Sequence, residues 1–323
     1  MRQAETLASG LTSAIRNDLE GILQYLVFTS LIWAFSFGLI KHNLTGYDPL
    51  AISLARLSIS ALVFTPFLHP RRVGRRLILH GIGLGAVQFG IMYWLYVESF
   101  EHLPAYGVAL FTIFTPFYVI LLENILSGRW VWRHATATLL AVLGAAFIVA
   151  RSFSLDEALA GILLLQSSNL CFAIGQVGAR RLLRRGGAPV SELSLIAWMY
   201  VGAALFVAVS GAVLIDMDRV SFDGDAMRIL LYLGVVPTGI GFYLWNKGAA
   251  RVGAGTLAAA NNLKVPLAIV ASWLVFGERA DYLRVTIGLL LITVGLIVAA
   301  WKEDSEFQRG RLGPRRTSDR RQS

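Results

Sequence analysis

LSLIAWMYVGAALFVAVSGAVLI, residues 193–215, runs for 23 positions without a charged side chain. A helix rises ~1.5 Å per residue, so this stretch is long enough to cross the ~30 Å hydrocarbon layer of a bilayer. Moving outward from it, nine further segments of similar character cover residues 21–40, 49–68, 77–96, 104–126, 134–150, 158–178, 228–246, 254–276 and 282–301. They are continuous apolar runs rather than the ~10-residue alternating strands of a barrel. The chain therefore reads as an all-α membrane protein with ten transmembrane helices. Composition agrees: 56% of the 323 residues are hydrophobic and 15% charged, where a soluble domain carries about a quarter charged. Ten spans leave roughly nine residues for each loop, which excludes an inserted catalytic or nucleotide-binding domain. The single cysteine, Cys171, lies within a span and is read as a small packing residue.

Lysine and arginine set the orientation, because flanking positive charge stays cytoplasmic. With the N-terminus inside, 21 of the 29 basic residues fall on the cytoplasmic side and six on the other, while Arg56 and Lys264 lie within spans. Both termini are expected in the cytoplasm. The net charge of +9 is thus mainly a topology signal, and the basic runs are too short and too scattered for a nucleic-acid partner. Residues 1–20 place Leu7, Leu11, Ile15 and Leu19 four apart and read as an interfacial helix. Residues 302–323 form a basic tail with too few apolar side chains to fold alone.

The halves of the chain echo each other. Tyr93 and Tyr243, Pro116 and Pro266, and Arg129 and Arg279 each stand 150 positions apart, and Gly144 and Gly295 stand 151 apart. Two copies of a five-helix unit are implied, over 21–151 and 158–301. Five is odd, so the second copy enters the membrane from the opposite side, giving an inverted five-plus-five repeat. That arrangement suits a secondary transporter with a site near the midplane between two halves.

The stretches SLIWAFSFGLIK (30–41), PLAISLARLSISAL (49–62), FTIFTPFYVILLENILSGR (111–129), LLYLGVVPTGIGFYLWNKGAARVGAGTLAAANNLKVPLAIVASWLVFGER (230–279) and TIGLLLITVGLIVA (286–299) resemble the EamA-like drug/metabolite transporter family. The resemblance covers both repeats. Its most specific parts are a proline in each fourth helix followed by an apolar stretch and Gly-Glu-Arg, and a Trp/Phe-rich first helix. It implies ten helices with both termini inside and secondary transport, often export, of a small metabolite: an amino acid, amine, nucleoside or drug-like solute. The first repeat departs from the pattern, with Ser127-Gly128-Arg129 where the second has Gly277-Glu278-Arg279.

Polar side chains within spans mark the candidate site, since each must meet a partner or line water. Ser53, Arg56 and Ser60 share a face of the second span, Gln166, Asn169 and Gln176 of the sixth, Gly239, Tyr243 and Asn246 of the eighth, and Asn261 and Lys264 of the ninth. Gln88 adds an amide in the third span, and Trp33 and Phe37 give the first an aromatic face. The expected solute-binding set is Lys264, Asn261, Arg56, Trp33, Gln88, Asn169, Gln176, Tyr243 and Asn246. Lys264 stands out because it is about ten residues from either end of its helix, too deep to snorkel cheaply. It is expected to meet an anionic group such as a carboxylate, or to carry the proton of a coupled step. Glu123 and Glu278 sit near span ends and read as interfacial structure.

An enzyme lacks its parts here. The five histidines fall in loops or near span ends, with no HExxH pair, no Cys/His cluster, no GxSxG elbow and no Walker A loop. No metal or cofactor is expected. A passive channel is the nearer alternative, and it would show pore-lining charge rings or a filter instead of two unlike half-sites. The expected partners are a small solute and the lipid bilayer.

Overall fold

The computed structural model describes residues 24–70, 73–128, 155–185, 191–249 and 254–278, together with Leu143 and seven positions between 283 and 294. The expected fifth span (134–150), most of the tenth (282–301), the interfacial helix of 1–20 and the tail of 302–323 lie outside the described residues. Among the described residues every regular element is helical. Eight helices follow in order: α1 Gln24–Leu44, α2 Pro49–Phe67, α3 Arg75–His102, α4 Ala105–Leu126, α5 Leu155–Arg185, α6 Glu192–Leu214, α7 Gly224–Ala249 and α8 Ala254–Leu274. Seven of them are long and apolar enough to cross a membrane.

Apolar side chains on the outside of the bundle show which solvent it meets. Leu205, Val209 and Val213 stand four apart on α6 and are exposed, Val213 at 82%. Such a stripe is stable only against lipid, because in water it would be a large apolar patch. Helix starts are capped by local chemistry. Asp48 Oδ1 accepts from Ala51 N at 2.8 Å with Pro49 in the first turn, and Asp223 Oδ1 accepts from Ala226 N at 2.7 Å. That backbone N–H holds the Asp223 carboxyl below the usual carboxylate range.

Glycines let α3 and α6 approach backbone to backbone. A Cβ at Gly85 would fall on the Met199 backbone, and one at Gly202 on the Ile82 carbonyl. On the other side of α3, Gly175 and Gly178 of α5 seat Gln88 and Leu84. Close approach of this kind gives the dispersion contact that drives helix association in lipid. Two helix ends, 149 positions apart, share one geometry. Gly128 and Gly277 both close a helix with positive φ, 67° and 68°, and a left-handed residue is one that glycine adopts without strain.

Two helices widen midway, α3 over Ala86–Ile91 and α7 over Gly234–Gly241. The α7 turn contains Pro237, which has no N–H to give, and glycines at 234, 239 and 241 that tolerate the opening. Carbonyls of this turn accept from side chains of three neighbouring helices. Ser60 donates to Gly234 O at 2.7 Å, Trp33 Nε1 to Pro237 O at 2.9 Å, and Tyr200 to the carbonyls of Thr238 and Gly239. α4 is similarly tightened to a 3₁₀ turn over Thr112–Phe114, just before Pro116. There the Phe111 carbonyl accepts from Asn169 Nδ2 at 2.9 Å and from Gln166 Nε2 at 3.3 Å. One cavity is lined by Thr112 of the 3₁₀ turn and by Met92 and Phe242, which directly follow the two wide turns.

Candidate solute-binding cavity

The cavity lies amid α1, α2, α3, α4, α5, α7 and α8 and is partly open to solvent. Its apolar wall is built from Trp33, Phe37, Met92, Tyr96, Phe172 and Phe242, and its polar wall from Ser36, Arg56, Tyr93, Thr112, Thr115, Ser168, Asn169 and Lys264. The rings interlock: Phe242 packs 4.7 Å from Trp33, 5.8 Å from Phe172 and 5.9 Å from Tyr93 between centroids. A solute with a flat or alkyl body would be gripped by dispersion against these faces.

Two cations set the electrostatics. Arg56 is 1% exposed. Its Nε and Nη2 donate to Thr238 Oγ1 at 3.3 and 3.0 Å, Nη2 also reaches Tyr93 OH at 3.3 Å, and its Cζ lies 4.5 Å from the Tyr93 ring centroid. Tyr93 OH and Thr238 Oγ1 are themselves 3.1 Å apart. Lys264 is 7% exposed, donates to Asn261 Oδ1 at 2.9 Å and holds Nζ 5.2 Å from the Trp33 ring centroid. No carboxylate lines the cavity among the described residues, so both charges are balanced only by neutral dipoles and π-faces. At this depth such an imbalance costs several kcal/mol unless water or a ligand compensates.

The expected site residues divide by location. Trp33, Arg56, Asn169 and Lys264 line the cavity, and Asn261 stands behind Lys264 as its acceptor. The rest of the expected set is placed elsewhere. Gln88 is fully buried against Gly175, with neither amide atom partnered among the described residues, and Gln176 is buried with its Nε2 unpartnered. Asn246 Nδ2 donates to Phe242 O within its own helix, and Tyr243 packs 6.3 Å from Phe64. Ser53 and Ser60 spend their hydroxyls on Pro49 O and on Arg56 O and Gly234 O. Ten wall residues were absent from the expected set, Ser36, Phe37, Met92, Tyr93, Tyr96, Thr112, Thr115, Ser168, Phe172 and Phe242, as was Thr238, which holds Arg56. Tyr93 carried one signal, its match to Tyr243 across the repeat, and Thr238 another, its place directly after Pro237.

The two glutamates near span ends make structural contacts. Glu123 pairs with Arg181 at 3.3 Å. Glu278 accepts from the backbone N–H groups of Ala105 and Tyr106 at 3.0 and 3.2 Å and lies 3.2 Å from His42 Nε2. A carboxylate at the start of α4 satisfies donors that have no partner inside the helix.

Known proteins show the same pattern. The model of the EamA-like transporter family matches residues 21–150 and again 159–301. A biotin transporter of Salmonella typhimurium is 36% identical over 275 residues, covering 84% of this chain and 91% of that protein. A probable terminal-alkyne amino-acid exporter of Streptantibioticus cattleyicolor is 26% identical over 284 residues, covering 84% and 91%. One crystal structure shares the fold at a TM-score of 0.62 and 20% identity, over 90% of this chain and 98% of its own.

Proposed function

From a chain that belongs to the EamA-like transporter family, a metabolite transporter and not an enzyme, we propose a carrier for a small carboxylic acid, with biotin as the first candidate. The observation that carries this reading is the charge of the cavity. Arg56 and Lys264 line it, and no acidic side chain does so among the described residues. The two cations disfavour an amine or organic cation, and an amino acid would find no acidic partner for its ammonium among the described residues. A monoacid with an apolar body matches both the charge and the aromatic wall. Biotin has that form, a carboxylate on an alkyl chain attached to a compact ring system, and the biotin transporter is the more similar of the two named relatives.

In this reading the carrier has ten helices arranged as two inverted five-helix repeats, 21–151 and 158–301, that rock about the cavity. Both termini face the cytoplasm, in the inner membrane of a bacterium. A lone anion leaves an inside-negative cell downhill by about 2.3 kcal/mol per 100 mV. Export, the direction expected from the sequence, therefore needs no second solute. Uptake would need an accompanying cation, and one observation favours a proton: the hydrogen-bond partner of buried Lys264 among the described residues is a neutral amide.

The reading is tested by thermal shift of the purified protein. Biotin at 100 times its dissociation constant should stabilise by ~2.7 kcal/mol, while its primary amide and leucine at equal concentration should give little. Stabilisation by leucine and none by biotin would contradict it.

A further inference from the structure

Resting on the carboxylate reading above, we infer that Arg56 Nη1 is the anchor for the solute's carboxylate, and that Lys264 serves a different step. The two cations differ in what they still lack. Lys264 has an oxygen partner in Asn261 and a π-face in Trp33, and an ammonium can also discharge by releasing a proton. A guanidinium cannot. Arg56 is held from two sides by Thr238 and Tyr93, both neutral, and its Nη1 is buried with no partner among the described residues. Nη1 carries two N–H donors, and the group is permanently charged. Leaving such donors buried and unmade is costly, and only an anion both satisfies them and neutralises the charge.

The fixed geometry argues for an anchor rather than a loose attractor. Nε and Nη2 are fully engaged by the threonine hydroxyl and the tyrosine OH, and the Tyr93 ring packs on the guanidinium face. The side chain is therefore already ordered before the solute arrives, which limits the entropy lost on binding. A carboxylate on Arg56 would leave its apolar body in the same cavity, whose wall includes Phe172, Phe242 and Met92. Arg56 joins α2 to α7 through Thr238, so the anchor also sits at a contact between the two repeats.

The test compares dissociation constants of biotin and its primary amide, which differ in charge and hardly in shape. Wild-type protein should prefer the acid by about 30-fold, the strength of a charge-assisted hydrogen bond. Arg56→Gln should reduce that preference below about 3-fold, whereas Lys264→Gln should weaken both probes while keeping the acid preferred by about 10-fold or more. Should Arg56→Gln fail to fold, Arg56→Lys keeps the positive charge but has no Nη1, and it should likewise reduce the preference to about 3-fold. Undiminished preference in a folded Arg56 variant, or loss of preference in Lys264→Gln alone, overturns the inference. No preference in the wild type overturns the carboxylate reading itself, which keeps the two failures distinct.

Discussion

Lys264→Gln should reduce transport at least ~100-fold, equivalent to about 2.7 kcal/mol, while membrane abundance stays normal and the thermal midpoint stays within about 2 °C of wild type. The stability expectation follows from the contacts. Among the described residues Lys264 makes one hydrogen bond, to Asn261, and one cation–π approach, to Trp33, and a glutamine can keep a bond to the same amide. The transport expectation follows from the charge. The glutamine brings no charge to the cavity and cannot exchange a proton as the cavity closes. Lys264→Arg should restore little, since a guanidinium is wider, differently hydrated and unable to discharge. Wild-type transport by Lys264→Gln would reject both roles for the lysine. Loss of folded protein would reduce it to a packing residue.

The largest stability effect is expected at Gly85. Its missing side chain is what allows the Met199 backbone against α3, and backbone cannot swing aside as a side chain can. Gly85→Val should cost about 3 kcal/mol or more, seen as aggregation in detergent or a thermal midpoint lowered by many degrees. The control lies two residues away on the same helix. Nothing stands within 4 Å of a Cβ built on Gly83, so Gly83→Ala should be neutral or stabilise by up to about 1 kcal/mol through helix propensity. Similar loss from both substitutions would show that the α3–α6 contact is not the cause.

The positions of the described helices were legible from hydropathy because lipid imposes a length, but their ends were not. The third span was expected to close at 96, yet α3 continues to His102 and stops only before Pro104, because a residue preceding proline disfavours helical geometry. The sixth was expected to close at 178, yet α5 runs on through Arg180, Arg181 and Arg184. Charge ends the hydrocarbon, not the helix.

The site was legible where a charge or an indole interrupts an apolar run, as at Arg56, Lys264 and Trp33. It was misplaced where the helical period itself fails. A regular helix groups Gly239, Tyr243 and Asn246 on one face. The wide turn over Gly234–Gly241 shifts that register, so that Phe242 lines the cavity and Thr238 holds its arginine. The same happens in α3, where the turn over Ala86–Ile91 leaves Gln88 against α5 and presents Met92, Tyr93 and Tyr96. Aromatic and threonine side chains are also ordinary within spans, so they carry little signal on their own.

The central claim is that one cavity carries a carboxylic acid across the membrane by exposing it to each side in turn. Its most direct test is counterflow in proteoliposomes loaded with unlabelled biotin and diluted into a trace of labelled biotin. A carrier should draw label inward to a transient level above that of the medium and then release it, with the overshoot abolished in Arg56→Gln and Lys264→Gln. Entry of label that rises smoothly to equilibrium without overshoot, or no entry above protein-free vesicles, would contradict the account.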